Sequence, residues 1–382
     1  MNRIAAIDVF RAITMCLMIF VNDFWTLHGV PKWLLHTEMN EDGMGFSDVI
    51  FPVFLVIVGM SLPFAVANRR EKGDNTRALL KHIGERTLAL LVMGFFLVNY
   101  EYLESGSLPF SKSWAGIYLV TCFFLIWNSY TKEFKAASLL KWAGVAGLLI
   151  FAFTFPGGVA AMKPYWWGIL GLIGWSYLWA SLAYLWAGNN LPRLTGVTLF
   201  FLLFCILAFA GCFSAVEPLK KYAWLVENGA LPFLCMLGVL ASVFYLNRTF
   251  KNYVPALLII GAVLIGLGFL LRPYWGISKI LATPAWICIC GGIAYMVYAL
   301  LFWVTDTNGR KKWSNFLKPA GVATLTCYLI PYYWYAVRSL TGIRLPDMLL
   351  ESPVGLLMSM GVSLIIIRIT GLLIHRGIRL KV

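Results

Sequence analysis

Apolar residues run along this chain in long blocks, not in the stripes of a soluble helix, and short polar interruptions separate the blocks. A helix crosses a bilayer with about 20 apolar residues, sometimes with about 17. Applied to this sequence, that ruler predicts helices near 4–25, 47–67, 83–100, 113–129, 138–154, 166–187, 195–213, 229–246, 254–271, 283–304, 319–340 and 353–374. The expected fold is therefore all-α, a polytopic integral membrane protein with about twelve transmembrane helices, or ten if one hairpin is misread. Residues 1–382 are read as a single transmembrane domain, with the spans at 166–213 as an added helix pair. Phe153-Thr154-Phe155-Pro156-Gly157-Gly158 cuts the fifth span short.

Composition agrees. Of 382 residues, 60% are hydrophobic and 13% charged, with a mean hydropathy of +0.78. Soluble domains average about 45–50% apolar and about 25% charged residues. Met1-Asn2-Arg3 leads directly into a span that carries Asp8 and Arg11, and no small-residue cleavage site follows, so no signal peptide is expected.

A formal charge of +14 invites nucleic acid as a partner, but the positions of the charges argue otherwise. With a cytoplasmic N-terminus, the inner segments hold twenty of the 31 lysines and arginines and the outer segments eight. This is the positive-inside bias, and it predicts both termini in the cytoplasm. His28, His36, Glu38, Glu41 and Asp42 then face outward, while the densest basic loop, residues 69–86, faces inward. No nucleic-acid partner is expected; the lipid bilayer is. The compact form and the lack of an organellar sorting signal point to a bacterial inner membrane.

All eight cysteines (Cys16, Cys122, Cys205, Cys212, Cys235, Cys288, Cys290 and Cys327) fall in apolar segments without zinc-site spacing, and are read as inert core thiols. No metal is expected. Nor does the chain carry a Walker loop, a dinucleotide fingerprint, a Gly-x-Ser-x-Gly elbow or a metal-binding histidine pair. That excludes the familiar ATP-driven pumps, Rossmann enzymes, serine hydrolases and zinc proteases.

Candidate chemistry gathers in the first outer loop. Asn22 ends the first span, His36 lies in the loop, and Asp48 opens the second span within Ser47-Asp48-Val49-Ile50-Phe51-Pro52. Histidine takes and returns protons near neutral pH. A catalytic base needs an orienting partner, and an acyl transition state needs a donor to its oxyanion. Asp48 and Asn22 suit those roles, although Asp48 equally suits a helix cap and His36 an ordinary exposed histidine. Asp23 is either a similar partner or an interfacial acid. His82 and His375 sit beside basic residues and are read as solvated or headgroup-facing.

Asp8 and Arg11 stand at i and i+3, as an intrahelical ion pair or as a gate to a cytosolic cavity. Arg338 and Arg368 are placed either to snorkel, outward and inward respectively, or to hold a phosphate. The inner loop with Arg69, Arg70 and Arg77 has the cations to bind a polyphosphate through forked hydrogen bonds. The positive-inside rule alone also accounts for it.

Ile7-Asp8-Val9-Phe10-Arg11-Ala12, Phe20-Val21-Asn22, His36, Asp48-Val49-Ile50-Phe51-Pro52 and Gly59 together resemble the catalytic region of the heparan-alpha-glucosaminide N-acetyltransferase family. Arg272-Pro-Tyr-Trp275, Ser278-Lys279, Trp303, Asp306, Trp313 and Gly321 through Tyr328 fit the same pattern. The resemblance implies a transmembrane acyltransferase that moves acetyl from cytosolic acetyl-CoA to an amino sugar or glycan acceptor across the membrane. His36 and Asn22 would match its essential histidine and asparagine. Acetyl-CoA is then the co-substrate, with Arg69, Arg70, Arg77 and Arg11 as the expected contacts to it, and a homodimer is one expected assembly. The competing readings are an amino-sugar transporter without acyl transfer, and a non-catalytic sensor or scaffold.

Overall fold

The computed structural model describes residues 4–104, 106, 111–131, 133–163, 168–215, 226–247 and 252–382. Expectations resting on Arg3, Lys132, Trp166, Trp167, Lys220, Lys221, Arg248 and Lys251 lie outside the described residues. Inside a bilayer, backbone N–H and C=O groups must be satisfied within the segment, and an apolar chain meets that demand as helices.

Thirteen α-helices follow one another among the described residues: α1 (Ala5–Asn22), α2 (Ser47–Glu71), α3 (Thr76–Glu101), α4 (Lys112–Trp127), α5 (Ala137–Thr154), α6 (Ile169–Ala187), α7 (Leu191–Phe209), α8 (Ala230–Leu246), α9 (Tyr253–Trp275), α10 (Pro284–Phe302), α11 (Lys318–Val322), α12 (Thr324–Thr341) and α13 (Val354–His375). Nine segments are long and apolar enough to cross a membrane, and α4 and α8 are shorter apolar helices. The chain is an all-helical, multi-pass membrane protein.

Each expected span meets a helix, with two differences. The basic segment 69–86 is mostly helical: α2 runs on to Glu71 and α3 starts at Thr76, where Asn75 accepts a hydrogen bond from Ala78 N at 2.9 Å. Clustered charge marks the edge of the apolar zone, and these helices project past that edge. The eleventh span is broken at Ala323, whose backbone leaves the helical region (φ −126°, ψ 58°) between α11 and α12. Seven cysteines are buried as expected, but Cys212 is exposed because α7 stops at Phe209.

The core is built around α2 and α8, which is buried along nearly its whole length. Their axes touch because both carry glycine at the crossing. A Cβ on Gly59 would lie 1.8 Å from the Cys235 carbonyl oxygen, and one on Gly238 would lie 1.9 Å from that of Val56. Small residues allow this backbone approach where helices pack in lipid. Ser242 Oγ completes the seam by donating to the Met60 carbonyl at 2.7 Å. By contrast α9 turns Ile259, Val263, Phe269 and Leu270 outward, as a lipid-facing helix would.

Alternation of the helices sets two ends. One, the loop end, carries the α1–α2 connection and the α9–α10 connection. At the other, the basic end, Asp306 accepts from Ala5 N (3.0 Å) and Ala6 N (2.7 Å), and the C-terminal segment joins α4 through Arg379 N to Asn128 Oδ1 at 2.8 Å.

Candidate active site

Gly45 makes the first loop possible. A Cβ there would fall 1.8 Å from the Leu35 carbonyl oxygen, so only glycine lets residues 33–35 fold against 45–47. Phe46 N donates to the Trp33 carbonyl at 2.8 Å, and Ser47 Oγ to that of Leu34. This closure lays His36 directly over the start of α2.

His36 Nδ1 lies 2.6 Å from Asp48 Oδ1. Asp48 is fully buried, and its other oxygen accepts from Gly45 N (2.9 Å), Thr37 N (3.1 Å) and Thr37 Oγ1 (3.0 Å). A carboxylate with that many donors is held ionised, and an ionised carboxylate only accepts. Nδ1 therefore carries the proton of the neutral ring, which makes Nε2 the accepting nitrogen. The His36 side chain is 47% exposed, so it is reachable.

A third member comes from far along the chain. Lys279 Nζ lies 3.1 Å from His36 Nδ1, 3.4 Å from Nε2 and 3.8 Å from Asp48 Oδ1. Its loop is pinned to the first one. Asp42 accepts from Ile277 N (2.7 Å) and Arg272 Nε (3.0 Å), and Gly43 N donates to the Ile277 carbonyl at 3.0 Å. The Ile277 N–H, helped by Arg272, holds the Asp42 carboxyl below its usual range. Burial draws the Lys279 ammonium below the ordinary lysine range, against the pull of Asp48.

Asn22 is exposed at the end of α1, and no hydrogen bond joins it to His36 or Asp48. Its neighbour Asp23 is buried, accepting from Tyr335 Oη at 2.6 Å and from Ser359 Oγ.

Of the four arginines expected to meet a cofactor, the structure brings one to a cavity. Arg11 donates to Asp8 and to the Gly321 carbonyl, each at 3.3 Å, and to Ser61 Oγ. It lines a cavity of about 350 Å³ between α1, α2, α3, α6 and the α11–α12 break. Arg69 is paired with Asp74 at 2.6 Å, and Arg70 and Arg77 lie outside that lining.

Arg86, Arg379 and Lys381 line it instead. The Arg86 guanidinium stacks on Tyr177 at 4.6 Å, and its Nε is buried without a hydrogen-bond partner. Toward the loop end the lining becomes Met18, Phe54, Ile169 and Tyr328. At about 1.5 Å per helical residue, Met18 stands ~6 Å below Asn22 and Phe54 ~9 Å below Asp48.

Sequence reasoning had assigned no role to Lys279 or Arg86. Lys279 lies 243 residues from His36, and its only signal was the resemblance at Ser278-Lys279. Arg86 counted solely toward topology.

Among the described residues, no group of histidine, cysteine and carboxylate side chains has the arrangement to hold a metal. A half-exposed imidazole held by a buried carboxylate, near the head of an internal cavity, suits proton transfer during acyl transfer.

Comparison with known proteins agrees. Residues 3–107 match the family model described as "Heparan-alpha-glucosaminide N-acetyltransferase, catalytic". The chain is 30% identical over 101 residues to heparan-alpha-glucosaminide N-acetyltransferase of Mus musculus, covering 26% of this chain and 15% of that protein. It is likewise 30% identical over 100 residues to the Homo sapiens protein of that name, covering 26% of this chain and 14% of the relative.

Proposed function

We propose, from the match of residues 3–107 to the catalytic region of the heparan-alpha-glucosaminide N-acetyltransferase family, that the chain transfers acetyl from acetyl-CoA to an amine or hydroxyl of a sugar or glycan acceptor. The observation that carries this reading is the His36–Asp48 contact at 2.6 Å, formed within the matching region.

In this mechanism His36 Nε2 removes the proton from the acceptor nitrogen or oxygen as that atom attacks the thioester carbonyl. The Asn22 amide donates to the carbonyl oxygen as it becomes negative, and the departing thiolate of CoA takes the proton back from the imidazolium. Asp48 fixes the tautomer. Lys279, 3.1 Å from Nδ1 and 3.4 Å from Nε2, helps to hold the ring in place.

The donor enters at the basic end. Arg11, Arg86, Arg379 and Lys381 suit its phosphates, and the unpartnered Nε of Arg86 is a donor in want of an acceptor. The pantetheine arm follows the apolar upper lining toward Met18 and Phe54. Arg69, Arg70 and Arg77 form the outer rim of this approach. In the proposed topology twelve spans cross a bacterial inner membrane, both termini are cytoplasmic, and the acceptor is met on the far side.

The test is thiol release from acetyl-CoA by the purified full chain in lipid nanodiscs, with glucosamine as acceptor. Release that depends on glucosamine and vanishes in His36→Ala is the expected result. A chain that releases no thiol yet accumulates glucosamine in proteoliposomes without acetyl-CoA is a transporter. A trapped acetyl group on His36 in single turnover would replace direct transfer with a two-step route.

A further inference from the structure

A second cavity, also of about 350 Å³, opens at the loop end between α3, α6 and α12. That volume falls in the range of small-molecule sites, about 300–1,000 Å³. Among the described residues it is lined by Glu101, Tyr102 and Tyr328, with an apolar wall from Gly94, Leu97 and Val98. It shares Ile169, Leu170 and Tyr328 with the donor cavity. Glu101 is the one acidic residue in either lining.

The carboxylate is placed with care, and among the described residues no cation forms a direct ion pair with it, although the Lys112 ammonium acts on it from nearby. Tyr332 Oη donates to Glu101 Oε1 at 2.9 Å. The nearby Lys112 does not pair with it: Nζ donates to the Glu101 backbone carbonyl at 2.8 Å and stands 5.6 Å from the centre of the Tyr100 ring. Around Glu101, Tyr332 packs edge-on against Tyr100 (6.3 Å) and Tyr328 (6.4 Å). The rim is held as well, because the Asn99 amide bonds both the N–H and the carbonyl of Lys163 at 3.0 Å.

A carboxylate framed by aromatic rings recognises an organic ammonium, which takes the charge from one and the quadrupoles of the others. α12 also ties this cavity to the proposed active site. One helical turn after Tyr332, Tyr335 bonds Asp23, the neighbour of Asn22.

We propose that this cavity is a binding site for a primary ammonium, with Glu101 as its counter-ion, where the acceptor docks; its first proton passes to bulk water at the loop end and its second to His36 during attack. The identity of the ammonium as acceptor rests on the acetyltransfer reading; the site itself does not. An amino sugar and an ethanolamine lipid headgroup present the same chemistry.

The experiment measures binding of glucosamine and of N-acetylglucosamine to the full chain in phosphatidylcholine nanodiscs, for wild type, Glu101→Gln and Tyr332→Phe. Wild type is expected to bind glucosamine at least tenfold more tightly than N-acetylglucosamine. Glu101→Gln should abolish that preference, and Tyr332→Phe should reduce it. Retained acetyl-CoA binding by the variants shows that they are folded. Equal affinity for the two sugars in wild type, or an undiminished preference in folded Glu101→Gln, overturns the proposal. If phosphatidylethanolamine nanodiscs suppress glucosamine binding to wild type, the ammonium site stands and the lipid is its source. Ammonium binding without thiol release would sink the acetyltransfer reading and leave this one intact.

Discussion

At the loop end, Asp42, Asp48, Arg272 and Lys279 find their partners within the chain, in a web of contacts between 2.6 and 3.8 Å. At the basic end, Arg86 and Lys381 face a cavity in which no carboxylate of the described residues is paired with them. The first arrangement is preorganised: its dipoles are paid for during folding, and substrate binding need not assemble them. The second is receptive, since cations kept from an internal anion retain their affinity for an external one. One end suits chemistry and the other suits capture, and substitutions at the two ends should fail in different ways.

His36→Ala tests that division most severely. Loss of a general base costs about 10²–10⁴-fold in rate, so kcat for thiol release should fall by that order while acetyl-CoA binding, read by calorimetry, holds. Asp48→Asn comes next. It keeps the volume but no longer enforces the Nδ1–H tautomer, so kcat should fall, though by no more than in His36→Ala. If kcat is unchanged, Asp48 is only a helix cap.

Arg86→Ala should act on capture alone. The KM for acetyl-CoA is expected to rise about tenfold, the effect of ~1.4 kcal/mol, with kcat nearly constant. Arg70→Ala, at the outer rim and outside the cavity lining, should raise that KM much less and leave kcat unchanged. If Arg70 rather than Arg86 moves KM, the donor enters by the outer rim and not by the cavity.

The smallest effects concern Lys279. Lys279→Met removes a cation that lies against both His36 and Asp48, so kcat/KM for thiol release should fall by a small factor, read in steady-state assays. Stability gives a second reading. Burial lowers the folded-state pKa of Lys279 below its unfolded value, so the unfolded chain binds more protons between the two. Wild type should therefore gain stability relative to Lys279→Met as pH rises through that window, and lose the gain below it. Denaturation at several pH values checks the slope.

Much of this architecture was legible in the sequence because the bilayer permits so few solutions. Apolar blocks located every helix, and their failure at 69–86 has a physical cause: a helix can continue into water while hydropathy reports only where lipid stops. The break at Ala323 left no such trace, since Gly321-Val-Ala-Thr324 reads as ordinary span sequence. His36 and Asp48 were legible as a pair because a short loop separates them. Lys279 and Glu101 were not, because pairings made by tertiary contact over long separations leave no local period to read. Asp8 and Arg11, three residues apart, do bond as their spacing suggested.

The clasp of Asp42 with Arg272 and Ile277 has a bearing on modularity. The stretch that matches the family model ends at residue 107, yet its histidine is seated by a lysine beyond α9, and its second helix is sealed by α8. Cut free or grafted onto another scaffold, that stretch would bring along its base without the cation that conditions it. The transplantable unit must include the distant α9–α10 connection as well as the first hundred residues.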